Sequence, residues 1–307
     1  MDLTDLPFVS VIVPVFNDAI GLKRCLQALE QQTYPQHLYE VVVVDNGSDV
    51  DQGIAEVVAA FQQATLMYES QPGSYAARNR GISVAKGEIL AFTDADCIPA
   101  QNWLEQGVKT LLQHPESGFV AGRIDISFQK PDHPTSIELY ESLWYALPQQ
   151  EFVENHHFGA TANVLTFASV MQQVGGFDAS LKSNGDREWG QRAYQAGYRP
   201  VYAETACITH PARHTLSQLH SRARRIAGGR YDLQQCYPLL KRNSLFVVGI
   251  VKYCFAPFLM MGFNLFCDRR LKTTQQRIQI SQLMFFVSCV YIREMLRLKS
   301  GKPSHRG

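Results

Sequence analysis

The chain has 307 residues, of which 46% are hydrophobic, so it can bury the core of one large domain or two modest ones. Lysine and arginine number 29 against 28 acidic residues, which excludes the strongly basic composition of a nucleic-acid-binding chain. The cysteines number 7 and include no C-x-x-C pair, which argues against a disulfide framework or a structural zinc site.

The N-terminus, Met1 to Asp5, is acidic and lacks the basic start and apolar stretch of a secretory signal. Together with the cysteine usage, it predicts a cytoplasmic protein.

The first part of the chain alternates strand and helix patterns. Short β-branched runs that end in turn residues predict strands, and apolar residues at helical spacing predict helices. The strands are predicted at 8–15, 39–44, 65–69 and 88–93, and the helices at 20–32, 54–63 and 74–85. This order predicts an α/β fold with a parallel twisted sheet, helices on both faces and ligands at the carboxyl ends of the strands.

The chain becomes irregular after Gly122, where prolines interrupt a region rich in Tyr, Trp and His. We expect a second half that faces the first. Its strands are predicted at 159–165 and 200–208, and its helices at 169–174 and 188–196. The predicted organisation is therefore 1–122, 123–240 and a tail at 241–307.

The tail begins with Leu245 to Cys267, an almost wholly apolar run whose length approaches the roughly 20 residues that cross a bilayer. Basic residues flank it on both sides, so charge gives no single-pass orientation, and a re-entrant or in-plane segment is favoured. A second run, Leu283 to Ile292, is too short to span a membrane. We expect a helical tail on the inner face of the membrane; the alternative is an amphipathic helix pair packed on the globular part.

Asp94 and Asp96 follow the predicted strand at 88–93 directly. Residues i and i+2 of an extended chain point to the same side, and two carboxylates there repel unless a cation lies between them. A hard divalent ion is the natural partner, whereas the plain alternative is an acidic turn.

Several segments together resemble a family 2 glycosyltransferase of the GT-A fold. They are residues 11–17, 43–48, 77–81 and 92–96, in that order, followed by Gly175–Asp178 and the acidic segment 186–188. The resemblance covers roughly residues 8 to 215 and leaves the tail outside.

The resemblance implies inverting transfer of a sugar from a nucleotide-diphosphate donor, with a UDP-sugar favoured, to a hydroxyl of a glycan or lipid-linked glycan. The segment 1–122 would bind the donor and 123–240 the acceptor. Mg²⁺ or Mn²⁺ would stabilise the charge on the departing diphosphate. The expected partners are the nucleotide-sugar donor, the glycan or lipid-linked acceptor and a membrane surface. Nucleic acid is not an expected partner.

By the same resemblance, Asp96 would hold the metal ion and His210 would be a further ligand, although a lone histidine is more often structural. Asp94 would contact the ribose and sugar of the donor. Other residues would lie along its base and diphosphate, and they are Pro14, Asp45, Asn46 and Arg78. Asp45 would read the base, with uracil favoured. A solvated surface arginine is the alternative for Arg78.

Removal of the acceptor proton requires a carboxylate opposite the leaving group, and Asp186 at a helix start is the candidate. The family's usual acidic pair is broken here, because Gly185 occupies its first place. Glu188 is the second candidate base; it could instead bind the acceptor or pair with Arg192. A simple helix cap is the alternative for Asp186.

Two further groups have both a functional and a structural interpretation. An arginine cluster, Arg222, Arg224, Arg225 and Arg230, could meet phosphate or form a solvated face. The segment 159–163 and the aromatic residues Trp144, Tyr145 and Trp189 could line the acceptor site or pack in the core. The competing functions are a phosphatase that also uses paired aspartates, and a non-catalytic membrane-bound scaffold of the same fold.

Overall fold

The computed structural model describes residues 6–236, 268 and 270–304. The chain divides into two compact units. The first comprises Met1–Ser127, Ala146–Ser180 and Gly185–Pro211, and the second comprises Phe128–Tyr145, Leu181–Asn184 and Ala212–Gly307.

The described residues contain eight strands and ten α-helices. The strands are β1 (Val9–Val15), β2 (Tyr39–Asp45), β3 (Ala64–Tyr68), β4 (Ile89–Thr93), β5 (Ile98–Pro99), β6 (Ser117–Ser127), β7 (Asn163–Phe167) and β8 (Arg199–Pro211). The helices are α1 (Ala19–Glu30), α2 (Ile54–Ala59), α3 (Ser74–Val84), α4 (Trp103–Gln113), α5 (Ser136–Trp144), α6 (Gln149–His156), α7 (Ala168–Val174), α8 (Gly185–Gln195), α9 (Leu216–Cys236) and α10 (Thr274–Lys299). All strands belong to the first unit, whereas α5, α9 and α10 belong to the second.

One sheet runs through the first unit in the order β3-β2-β1-β4-β7-β6-β8-β5. The strands β3, β2, β1 and β4 are parallel, as predicted, and the central β1, β2 and β4 are almost fully buried, which explains their continuous apolar runs. The strand β7 pairs antiparallel with both β4 and β6. The predicted α/β fold with flanking helices is confirmed, and its sheet is mixed because β7 and β5 pair antiparallel with their neighbours.

The predicted boundary at residue 122 falls within the strand β6. The strand β6 continues through it, and β7 inserts between β4 and β6, so a single sheet carries both predicted halves. Sequence patterns missed β6 because its glycines resemble breakers. A Cβ on Gly122 would lie 2.1 Å from the carbonyl oxygen of Ala206, so this glycine permits close strand packing.

The second unit has its own apolar core. Residues of α5, α9 and α10 form it, and they include Leu139, Tyr140, Leu219, Ala223, Ile280, Leu283, Met284, Val287 and Val290. The predicted run Leu283 to Ile292 therefore lies within α10, a helix that packs against α9 and α5. Leu245 to Cys267 lies outside the described residues. Across 6–236, 268 and 270–304, none of the helices has the length and apolar character needed to cross a membrane.

Candidate functional site

The carboxyl ends of the parallel strands meet at one edge of the sheet. Val15 at the end of β1 is in register with Asp45 at the end of β2, and Asp94 follows β4 directly. The short strand β5 pairs with β8, with Ile98 opposite Thr209, and this pairing brings His210 beside the acidic pair. The predicted metal ligands thus come from segments far apart in sequence.

Four side chains at this edge could hold a metal ion. The ligand atoms of Asp94, Asp96, Cys97 and His210 all lie within 4.8 Å of one another, and His210 Nε2 is 3.8 Å from Asp96 Oδ2. Burial, followed by the nearby charges of Asp96 and Asp94, raises the pKa of the Cys97 thiol well above its usual value. A thiol of this kind is a poor ligand for a hard ion, and the two carboxylates with one imidazole form a donor set that suits Mg²⁺ or Mn²⁺.

Arg78 reaches this acidic pair from α3. Its Nη2 donates a short hydrogen bond to Asp94 Oδ1, and the residue is only 3% exposed. Its buried Nε has no hydrogen-bond partner among the described residues. Since buried polar groups are nearly always satisfied, this N–H is a donor available to a ligand. Arg78 is therefore buried, and the alternative of a solvated surface arginine is wrong.

Asp186 lies in the first turn of α8 and accepts two hydrogen bonds on the same oxygen. Tyr75 Oη donates to its Oδ1 at 3.3 Å, and the backbone N–H of Arg187 donates to the same atom at 2.9 Å. Burial raises the pKa of the Asp186 carboxyl, against the opposing effects of these two hydrogen bonds and of the Arg78 charge. A carboxylate with a raised pKa is a stronger base.

Glu188 is buried and forms an ion pair with Arg192, one helical turn away, at 2.9 Å. This is the pairing that the sequence left open. The Arg192 guanidinium also donates to the carbonyl oxygens of Val174, Gly175 and Gly176. It thereby ties α8 to the end of α7.

Three residues on one face of α3 organise the site. Tyr75 donates to Asp186, Arg78 to Asp94, and Asn79 exchanges two hydrogen bonds with the backbone of Phe177, at 2.7 and 2.9 Å. Their i, i+3, i+4 spacing places them together. Tyr75 and Asn79 had no predicted role, although their helical spacing from Arg78 was a usable signal in the sequence.

The residues expected at the nucleotide base have defined surroundings. Asp45 is buried and its Oδ1 accepts from the N–H of Ser48 at 2.9 Å. The Asn46 amide donates to the carbonyl oxygens of Glu69 and Gln71 and accepts from the N–H of Gly73. Asn46 therefore holds the loop before α3. Pro14 is half-buried in β1, opposite Val44 of β2.

Other residues considered for ligand contact pack inside the protein. Trp189 is 2% exposed, and its Nε1 donates to the carbonyl oxygen of Gly175 at 3.0 Å. The segment 159–163 is likewise buried. In the second unit, Arg222 donates to Glu141 and lies 3.8 Å from the ring centroid of Tyr145, while Arg224 pairs with Glu294. Those two arginines are engaged in ion pairs within that unit.

The chain is similar to known glycosyltransferases. A family model described as glycosyl transferase family 2 matches residues 10–175. The chain is 37% identical over 263 residues to glycosyltransferase AglE of Haloferax volcanii. The aligned region covers 84% of this chain and 82% of that protein. It is also 30% identical over 240 residues to the pre-mycofactocin glycosyltransferase of Mycobacterium tuberculosis, and spans about half of that protein's length (48%).

Among solved structures, the chain resembles the mannosyltransferase PcManGT from Pyrobaculum calidifontis, determined in complex with GDP-Man and Mn²⁺. The TM-score is 0.65, the sequence identity is 19%, and the match covers 98% of this chain and 89% of that one. At this identity the likeness establishes the fold.

Proposed function

The chain belongs to glycosyltransferase family 2 and is a glycosyltransferase of the GT-A fold; from this premise we propose that it transfers a sugar, with inversion, from a nucleotide-diphosphate donor to a hydroxyl of a glycan or lipid-linked glycan. One observation carries the proposal: a single helix, α3, contacts both acidic groups. Its Arg78 donates to Asp94 of the acidic pair, and its Tyr75 donates to Asp186. A cation site and a candidate base are thereby held by one helix.

We propose that Asp96 and His210 hold the divalent ion and that Asp94, beside them, contacts the ribose and sugar of the donor. The oxygen and imidazole donors fit Mg²⁺ or Mn²⁺, and the structurally similar mannosyltransferase binds Mn²⁺. When bound, the ion would supply Lewis-acid stabilisation of the negative charge on the leaving diphosphate. Arg78 would add its own positive charge and its spare Nε–H on the diphosphate side.

Asp186 is proposed as the general base. The acceptor oxygen forms a bond to the anomeric carbon, the bond between that carbon and the diphosphate oxygen breaks, and the acceptor proton passes to Asp186. Its Oδ1 already accepts two hydrogen bonds, and no described residue donates to Oδ2, which can receive the proton. Glu188 remains the second candidate, although Arg192 engages its carboxylate.

The donor base would be read at Asp45, with Pro14 and Asn46 shaping the backbone around it. A UDP-sugar is the expectation from the sequence, and GDP-mannose is the competing donor because the structurally similar enzyme binds it. We also propose association with the inner face of the cell membrane through the tail 241–307, in the cytoplasm. The glycosyltransferase relatives favour this function over a phosphatase or a non-catalytic scaffold.

The test is a thermal-shift screen with Mn²⁺ and a panel of UDP-glucose, UDP-N-acetylglucosamine and GDP-mannose. A ligand of the native state raises the melting temperature, so one nucleotide sugar should give a Mn²⁺-dependent rise that is lost on chelation. Asp96→Ala should abolish the rise, whereas Asp51→Ala, at an exposed site, should keep it. An equal rise in Asp96→Ala would remove Asp96 from the metal site.

A further inference from the structure

Tyr75 donates a hydrogen bond to the proposed base, Asp186, and no sequence pattern indicated this contact. We infer that Tyr75 is a positioning residue: its phenol fixes the Asp186 carboxylate and directs Oδ2 to the acceptor hydroxyl. The inference rests on the proposed role of Asp186 as general base. The inference assigns Tyr75 a role in sugar transfer. The residues that define its surroundings lie on α3, directly after β4 and on α8.

The hydroxyl of Tyr75 is the only side-chain donor to Asp186 in the described part of the chain. It donates to Oδ1 at 3.3 Å, and the N–H of Arg187 donates to the same oxygen. Two donors on one carboxylate oxygen fix the orientation of the whole group. The other oxygen, Oδ2, is consequently the one left to receive the acceptor proton.

The Tyr75 ring itself has little freedom to move. The residue is 6% exposed, and its ring centroid lies 5.7 Å from that of Phe177 and 5.7 Å from the Arg78 guanidinium carbon. Phe177 is in turn held through its backbone by Asn79. A ring confined on two sides keeps its hydroxyl at one place.

Gly185 makes the approach of Tyr75 possible. A Cβ at this position would lie 2.7 Å from Cε2 and 2.8 Å from Cδ2 and Cζ of the Tyr75 ring. Any residue other than glycine would therefore push the ring away from the start of α8. The break in the acidic pair at Gly185 thus has a structural reason, because the phenol occupies the space of a side chain.

The charged and titratable groups that act on Asp186 are Tyr75 and Arg78 of α3 and Asp94 after β4. The phenol hydrogen bond favours the charged carboxylate, so it opposes the effect of burial on the Asp186 pKa. Removing only the hydroxyl should therefore raise that pKa. A tyrosine that only packed its ring against Phe177 would leave the pKa unchanged.

The experiment compares Tyr75→Phe with Tyr198→Phe in the full chain. Tyr198→Phe also removes a hydroxyl that donates a hydrogen bond, in this case to the exposed Gln173 side chain. Tyr198 lies outside the candidate site. With the nucleotide sugar found in the screen as donor and water as the acceptor, measured as hydrolysis of the donor, Tyr75→Phe should lower kcat about tenfold and move the acidic limb of the kcat/KM profile to higher pH. Tyr198→Phe should change neither quantity.

A second measurement needs no substrate. Carboxyl ¹³C NMR titration, with the Asp186 signal assigned from Asp186→Asn, should show a higher Asp186 pKa in Tyr75→Phe than in the wild type. Unchanged titration and an unchanged acidic limb would overturn the inference, as would failure of Tyr75→Phe to fold. If Asp186→Asn retained full activity, the proposed base would be wrong, and the NMR result would still report on the Tyr75 contact.

Discussion

Glu188 and Arg192 form a two-point ion pair inside α8, with Arg192 Nε 2.9 Å from Oε1 and Nη2 3.0 Å from Oε2. Both carboxylate oxygens of Glu188 are thus engaged. Asp186, two residues earlier, accepts its two hydrogen bonds on Oδ1 alone. A base needs an oxygen that can take a proton, so this difference favours Asp186 over Glu188 as the base.

Glu188→Gln should mainly lower stability. The change replaces the charged partner of Arg192 by a neutral amide. Glu188 is only 6% exposed, and loss of one charge from a buried ion pair lowers the free energy of unfolding. Because the Arg192 side chain is 33% exposed, solvent screening reduces the expected loss to about 2 kcal/mol of unfolding free energy. Urea denaturation measures it.

The matched control for Glu188 is Glu154→Gln. Glu154 is exposed and accepts a hydrogen bond from Gln150, one turn earlier in α6, so the loss of unfolding free energy should fall within about 0.5 kcal/mol. If Glu188→Gln abolished turnover while stability stayed unchanged, Glu188 would replace Asp186 as the candidate base.

Asn79→Ala should destabilise the turn that supports Tyr75. The Asn79 amide satisfies both the N–H and the C=O of Phe177, and its removal leaves two partly buried backbone groups without partners. The expected loss is about 2 kcal/mol, with lower activity because Phe177 packs against Tyr75. Denaturation and kcat would be measured together with the control Asn102→Ala, an exposed residue without a side-chain capping bond. Equal effects of the two changes would contradict the assigned role of Asn79.

The sequence predicted the strands and helices of residues 8–93 well, and it missed β5, α4, β6 and α6 of the same unit. β1, β2 and β4 are apolar on both faces because they are central in a parallel sheet, and this pattern is visible in the sequence. The acidic pair after β4 could likewise be predicted. Each of these features depends on residues adjacent in the chain.

Features that depend on distant contacts could not be predicted in the same way. The hydrogen bond between Tyr75 and Asp186 joins residues 111 positions apart, and the use of Gly185 follows only from that contact. The strand β6 was missed because Gly122 resembles a breaker until Ala206 is seen beside it. Arg222 resembled a phosphate-binding residue because its partner, Glu141, is 81 positions away.

The pH dependence of stability should reveal the cost of placing Asp186 at the site. Its pKa in the folded protein is raised by burial, so between the ordinary aspartate value and the raised value the folded state binds more protons than the unfolded state. Stability therefore falls as pH rises through that window and stays lower above it. The buried Asp186 carboxylate thus weakens the fold at neutral pH.

Asp186→Asn removes this titration. The variant should be more stable than the wild type at neutral pH, and the difference should vanish below the ordinary aspartate pKa. Chemical denaturation across acidic to neutral pH measures it, with Asp51→Asn at an exposed site as the control. A variant less stable than the wild type at neutral pH would contradict the raised pKa.

The second unit offers a test of its internal arginines. Glu141 is 4% exposed and accepts from Arg213 at 3.1 Å and from Arg222 at 2.9 Å. Burial, followed by the charge of Arg213, lowers the pKa of Arg222 to about 10. The guanidinium also lies over the Tyr145 ring, so its position is fixed by an ion pair and a cation–π contact.

Glu141→Gln should therefore destabilise the protein by about 3 kcal/mol, since two guanidinium groups lose a buried counter-charge. Arg222→Leu should cost less, because the leucine carries no charge and Arg213 can still pair with Glu141. Arg24→Leu, at an exposed position in α1, is the matched control and should be nearly neutral. If Arg222→Leu instead left stability unchanged and weakened binding to vesicles containing anionic lipid, Arg222 would serve phosphate recognition, and its role as an internal ion-pair partner would be wrong.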